Sequence, residues 1–366
     1  MRVLVMGGTQ FNGLALVREL ARTGHDVTVL NRGQTQADLP RSVRRLRGDR
    51  TDAAQMRQVF AREEFDCVQD MSAYHPEDVE LMIELFHGRT GHYVFAGSTV
   101  IYATSDVLPI GEDHPVDRSP AQTEYGLHKL LCEDILVRAH RERGFPATIV
   151  PFSMVFGPHN SLLDREQRMF TRLRDGRPIL IPGDGTALSQ VGHVDDQARA
   201  LRMMMGLPVT FGKRYNLTGA QAFTDEGYVD TFAAVMGVEP DKVFVPAPLM
   251  DAAWDGELDL GIPEPRVQMD VRTSDTARRS NAAGLARWQL ATLVQKLAPN
   301  LHRWNRSVVF DINRLRRDVG WEPEFTFETM VEDTYDWWRR TGLDGTQQFD
   351  FSVEDQLLGL VQGSKR

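Results

Sequence analysis

Tyr125 and Lys129 stand four residues apart in the stretch EYGLHKLLCEDIL. On a helix, that spacing puts both side chains on one face. The chemistry such a pair offers is proton transfer. A tyrosine ordinarily ionises near pH ~10 and is a poor base at neutrality, but an adjacent ammonium favours its phenolate. Ser98, in VFAGSTVIY, adds a hydroxyl that could hold the same substrate oxygen. A second group of residues gives this relay something to work beside. VLVMGGTQFNGLALV places Gly7, Gly8 and Gly13 between an apolar run and an amphipathic one. Glycines there permit a tight turn, let the backbone approach a pyrophosphate, and leave a helix N-terminus aimed at the anion.

The next apolar run ends in Leu30-Asn31-Arg32. A dinucleotide without a 2′-phosphate is usually held here by an acid that accepts from the ribose hydroxyls. Asn31 has no charge to repel a phosphate and Arg32 could pair with one, so the reading leans to NADP over NAD. Asp49, after Gly48, is either an acceptor for the adenine amino group or a turn aspartate.

Strands must position these groups. Short apolar runs at Arg2–Met6, Asp26–Leu30, Val43–Leu46, Phe65–Gln69, His92–Ala96 and Ala147–Val150 alternate with helical periods. This alternation predicts an α/β fold, a doubly wound Rossmann parallel sheet. The dinucleotide-binding domain spans residues 1–150. Residues 151–341 read mainly as a smaller C-terminal substrate-binding lobe with Gly- and Pro-rich loops. Within it, a strand at Tyr215–Leu217 and a helix at Asp225–Met236 are expected to return to the main sheet (about 213–237). The pattern also predicts a helix over Phe327–Arg340, and residues 342–366 read as a tail with a short helix around Val353–Val361.

Composition narrows the partners. The 366 residues carry a net charge of −9, which does not favour nucleic acid. Two cysteines, Cys67 and Cys132, cannot build a disulfide framework and suit a reducing cytosol. The absence of a long apolar run or cleavable leader makes a soluble, cytoplasmic protein the expectation. One region runs against the overall charge: residues 266–317 hold eleven Lys/Arg against three Asp/Glu. A solvated face, a lid over an anionic substrate, and an RNA contact are the three readings of it. A helical pattern runs from Asn281 to Leu297.

GGTQFNG, GSTVIYA, YGLHK, FSMVFGPHN, IPGDGTALSQVGHVDDQARAL and DINRLRRDVGWEPEFTFETMVEDTYDWW together resemble the extended short-chain dehydrogenase/reductases, the NAD-dependent epimerase/dehydratase group. GGTQFNG and LNRGQT look most like its atypical branch of chloroplast stem-loop-binding proteins. The resemblance implies that Tyr125 is the general acid/base, Lys129 its partner and ribose ligand, and Ser98 the hydroxyl positioner. Gly7, Gly8, Thr9, Gln10, Phe11 and Gly13 would form the pyrophosphate loop. Ser153 and the segment Pro182 to His193 would face the substrate, and a homodimer is implied. The chain departs from the pattern in three ways. Gln10 replaces the middle glycine, and Val150 and Ser153 replace an arginine and an asparagine used for a substrate diphosphate. Thr99 and Val100 stand where sugar 4,6-dehydratases carry an Asp-Glu pair. The reading is therefore an NAD(P)-dependent epimerase or dehydrogenase of a hydroxyl-bearing, sugar-like, anionic small molecule. A reductase of a non-sugar natural product and an RNA-binding or regulatory protein on the same fold are the alternatives. No metal is expected: His193, Asp195 and Asp196 read as a turn and helix start, with an aspartate capping.

Overall fold

A computed structural model describes residues 1–163, 165–258, 260 and 303–363. Most of the Arg-rich stretch, and the pattern at Asn281–Leu297, lie outside the described residues. Six parallel strands make the central sheet: β1 (Arg2–Met6), β2 (Asp26–Asn31), β3 (Arg44–Arg47), β4 (Phe65–Asp70), β5 (Thr90–Ser98) and β6 (Ala147–Phe152). Their order is 3-2-1-4-5-6, the doubly wound arrangement, in which the chain reverses direction of growth between β1 and β4.

Alternation along β1 explains the two layers. Val3 and Val5 pack with Leu14, Val17 and Leu20 of α1 (Phe11–Arg22) and with Ala198 and Leu201 of α6 (Val194–Met204). Leu4 and Met6 face the other way, toward Met56 of α2 (Ala53–Val59), Val79, Met82 and Phe86 of α3 (Pro76–Phe86), and Leu136 of α4 (Glu124–Arg143). Successive side chains on a strand point to opposite faces, so apolar strands of this kind need helices on both sides.

Residues 214–217 extend the sheet beyond β6. Ile149 N donates to Lys213 O at 3.0 Å, and Tyr215 N donates to Ile149 O at 2.9 Å. Helix α7 (Asp225–Met236) does not follow them onto the main sheet. It packs in the smaller lobe against α5 (Glu166–Arg174) and the helix Phe327–Arg340, with Tyr228 and Phe232 beside Phe170, Phe327 and Trp338. The lobe also contains β7 (Met154–Phe156), β8 (Ile179–Pro182), β9 (Leu188–His193), β10 (Ala222–Thr224), β11 (Lys242–Val245) and α8 (Ala247–Trp254).

The residues read as a tail with a short helix around Val353–Val361 form a helix that is docked on the lobe. Helix Ser352–Gly363 buries Leu357 and Val361 against Leu180, Val245 and Trp254. Its Glu354 is clasped by Arg168 (Nη2–Oε1 2.7 Å) and Arg172 (Nε–Oε2 2.8 Å) from α5. Among the described residues, no helix is long and apolar enough to cross a membrane.

At the end of β4 lies a buried ionic knot. Arg50 makes two parallel bonds to Asp70, Nη1–Oδ1 at 2.7 Å and Nη2–Oδ2 at 2.9 Å, and its Nε lies 3.1 Å from Asp78 Oδ1. Tyr93 donates to Asp70 at 2.7 Å, and Asp78 accepts the backbone amides of Tyr74 and His75. The Arg50 guanidinium holds the Asp70 carboxyl below the usual carboxylate range despite its burial. Arg50→Gln would leave two buried carboxylates uncompensated. Its unfolding free energy, read from urea denaturation, is expected to drop by about 3–5 kcal/mol; a midpoint equal to wild type would show that the knot does not stabilise the domain.

Candidate functional site

The glycine loop is built as close packing demands. Gly7 adopts φ +86°, and a Cβ on Gly13 would sit 2.1 Å from the Gly7 carbonyl oxygen. No side chain larger than hydrogen lets α1 start so near the end of β1. Gln10 at the N-cap makes no side-chain capping bond, and the first turn of α1 holds no acid. Its N-terminal dipole and amides therefore face the crevice at the strand ends, where a pyrophosphate would sit. Thr9 is half-buried, Gln10 is exposed, and Phe11 is held at φ +34°. Gly7, Gly8 and Gly13 with this uncapped helix start fit a dinucleotide.

Across the sheet, α4 begins under a Thr123 cap whose hydroxyl accepts from Gly126 N, and runs for 20 residues to Gly144 in the left-handed conformation. Tyr125 and Lys129 lie one turn apart on it, as their spacing predicts. Lys129 is only 2% exposed. Its Nζ donates to Ala73 O at 2.7 Å and Ala96 O at 2.8 Å. It also lies 4.7 Å from the centre of the Tyr74 ring, 4.9 Å from that of Phe95 and 5.7 Å from that of Tyr125. Carbonyl oxygens and ring faces together offset the loss of water around the ammonium. Tyr125 is half-buried, with Tyr74 beside it at 6.2 Å between ring centres. Ser98 ends β5, 8% exposed, in register with Phe152 of β6. The structure thus brings the C-terminal end of β5, the Tyr–Lys face of α4 and the glycine loop to the same edge of one sheet.

Several other candidate positions are engaged by the protein's own groups. Asn31 turns back on its own chain, accepting from Gly33 N at 2.8 Å, while Arg32 O accepts from Arg47 Nε at 3.1 Å. Asp49 Oδ1 accepts from both Thr51 N and Thr51 Oγ1, a turn around its own backbone. Ser153 is buried and donates to Thr218 Oγ1 at 2.6 Å. His193 is 0% exposed and stacks on Phe325 at 3.7 Å. It is also the cap that the sequence assigned to an aspartate: its Nδ1 accepts from Asp195 N at 3.2 Å. Asp196 instead accepts from Glu324 N and Phe325 N. His193, Asp195 and Asp333 lie close enough to be considered for a metal. The bond directions argue against it, because accepting at Nδ1 leaves the proton on Nε2, which meets Asp333 at 3.2 Å.

Two charged groups near the crevice went unread in the sequence. Glu133, one turn past Lys129, is 1% exposed and accepts Arg214 Nη2 at 2.6 Å. Burial pushes its carboxyl up to about 7 against the pull of Arg214. The helical period 125, 129, 133 was the available signal. The second group is Arg165 and Glu166, at the N-cap and first residue of α5, where a preceding irregular stretch gives no period to flag them. Glu166 is completely buried and accepts from Asn160 Nδ2 at 2.8 Å.

Against known proteins, the model of the NAD dependent epimerase/dehydratase family matches residues 3–218. The chloroplast stem-loop binding protein of 41 kDa b from Arabidopsis thaliana is 32% identical over 256 residues, which cover 66% of this chain and 65% of that protein. The chain therefore matches just under two thirds of that relative's length. The 2'-dehydrokanamycin reductase of Streptomyces kanamyceticus is 26% identical over 277 residues, 72% of this chain and 78% of the reductase. Among solved structures, dTDP-glucose 4,6-dehydratase from Bacillus anthracis in complex with NAD superposes with a TM-score of 0.68 at 15% identity, covering 94% of this chain and 98% of that one. That likeness is one of fold.

Burial raises the Glu166 carboxyl to about 7, against the Asn160 hydrogen bond and the charge of Arg165. Since this exceeds the ordinary 4.5, the folded state binds the proton more tightly. The resulting stabilisation is complete below pH ~4.5 and disappears as pH rises through ~7. Glu166→Gln keeps the acceptor and cannot ionise. Its melting temperature is expected to change less than wild type between about pH 5 and pH 8, with a stability difference approaching about 3 kcal/mol at the upper end. Parallel pH profiles for the two proteins would contradict this.

Proposed function

The chain belongs to the NAD dependent epimerase/dehydratase family, and from that premise we propose that it interconverts a carbinol and a carbonyl on a sugar-like small molecule. The observation that carries this reading is the Lys129 ammonium, buried beneath Tyr125 and fixed by two backbone carbonyls. A nicotinamide dinucleotide bound at the glycine loop supplies hydride acceptance and donation. The rest of the chemistry falls to side chains. Tyr125 Oη takes the proton of the substrate hydroxyl in oxidation and gives it back in reduction. Lys129 lies one turn away as a fixed cation, 5.7 Å from the centre of the Tyr125 ring. Ser98 holds the substrate oxygen by a hydrogen bond. Return of hydride to the opposite face of the same carbon gives an epimerase; release of the product after one transfer gives a dehydrogenase or reductase.

Dehydration is disfavoured by the three residues after Ser98. Thr99, Val100 and Ile101 form a single 3-10 turn, which provides neither an acid nor a base for eliminating water. For the cofactor, the reading is NADP in preference to NAD. It is supported by the lack of a carboxylate at the end of β2, where Asn31 engages Gly33 and Arg32 comes next. Similarity to a reductase over 72% of the chain supports net reduction as a second reading within the same chemistry.

Tyr125→Phe is expected to lower turnover by roughly 10²–10⁴-fold while the dissociation constant of the dinucleotide stays within about threefold; undiminished turnover would end the mechanism. Arg32→Glu is expected to reverse the cofactor preference, weakening NADP(H) by roughly tenfold or more in fluorescence titration and sparing NAD(H). Equal loss for both dinucleotides would refute the 2′-phosphate contact.

A further inference from the structure

Helix α5 and the residue before it carry arginines at 165, 168, 172 and 174, and three of the four have acidic or carbonyl partners on the far side of the lobe. Arg168 and Arg172 hold Glu354. Arg174 pairs with Asp175 and donates to Asp344 O. Arg165 differs. Among the described residues its side chain makes a single hydrogen bond, from Nη1 to Val155 O at 3.2 Å, and no ion pair with a carboxylate. A guanidinium has five donors in a planar fork, and half-buried ones are ordinarily satisfied.

Its tether fixes where it points from. Val155 lies in β7, two residues beyond Ser153 and three beyond Phe152, which pairs with Ser98 across β5 and β6. The guanidinium is thus held from the lobe at the same strand ends that present the candidate relay. Burial works against its charge, and the groups whose charges bear on it are Glu166, Tyr228 and Tyr125. Glu166 does not pair with it directly, being bonded to Asn160.

We propose that Arg165 is the anchor for an oxyanion of the substrate, a phosphoryl or carboxylate group carried by the molecule whose hydroxyl meets Tyr125. This rests on the role proposed for Tyr125. A half-buried planar fork whose remaining donors meet no partner among the described residues suits two-point recognition of such a group. The anion would be held from the lobe and the reacting carbon from the sheet, which sets the orientation of the substrate between them.

The test uses the full-length protein with its dinucleotide site saturated by NADP, titrated calorimetrically with inorganic phosphate and, separately, with acetate at constant ionic strength. Wild type is expected to bind at least one of the two saturably. The anion that binds more tightly tells a phosphoryl from a carboxylate substrate. Arg165→Gln should weaken that binding by tenfold or more, and Arg165→Lys should retain part of it; melting curves check that both variants are folded. Tyr125→Phe should bind the anion as wild type does, so failure of the relay and failure of the anchor are read separately. Absence of saturable binding by wild type, or equal binding by a folded Arg165→Gln, overturns the proposal.

Discussion

The ammonium of Lys129 lies where water is nearly excluded, and its compensation comes from the ends of two different segments: the carbonyl of Ala73 beyond β4 and that of Ala96 within β5. A cation in such a place ties three pieces of backbone together, because moving any one of them would expose an unpaired charge to an apolar interior. Helix α4 is therefore fixed in rotation as well as position. Tyr125, one turn earlier, has its direction set by this constraint. The ionic knot of Arg50, Asp70, Asp78 and Tyr93 acts on the same region, since Asp78 receives the amides of Tyr74 and His75 and so shapes the loop that carries Ala73. Two buried cations, Lys129 and Arg50, hold the strand ends in register.

The small lobe obeys a different logic. Its contacts are largely aromatic, with Phe170, Tyr228, Phe232, Phe327 and Trp338 packed together, and its polar connections run between distant parts of the chain. Here the cleft is bounded by loops rather than strand ends, and loops are where family members with one scaffold diverge in what they accept. A fixed Tyr125–Lys129 face on the sheet side and looser loops on the lobe side fit relatives whose names include a stem-loop binding protein, a reductase and a sugar dehydratase.

How much of this was legible in the sequence depended on distance along the chain. Periodicity is a local signal, so the six strands, α7 and the helix Phe327–Arg340 could be read directly, as could the glycine loop and the pairing of Tyr125 with Lys129 on one face of α4. The inward turns of Ser153 and His193 could not. Ser153 is fixed by Thr218, 65 residues on, and His193 by Asp333, 140 residues on. Arg50 carries no local signal either, because its partners Asp70 and Asp78 lie 20 and 28 residues on. The final segment looked like a tail because its few apolar residues have meaning only against Leu180, Val245 and Trp254, all far upstream. In each case a tertiary partner, invisible to local pattern, decided the side chain's job.

The clasp between α5 and Glu354 fastens a nine-residue helix at its third and seventh residues, Arg168 and Arg172. Such a helix is about 14 Å long at 1.5 Å per residue, and the residue that caps its start, Arg165, bonds the carbonyl of Val155 in β7. Changes around Glu354, far from any reacting atom, therefore bear directly on the seating of α5. Evolution could retune that seating by editing this last stretch of the chain while leaving every strand of the sheet untouched.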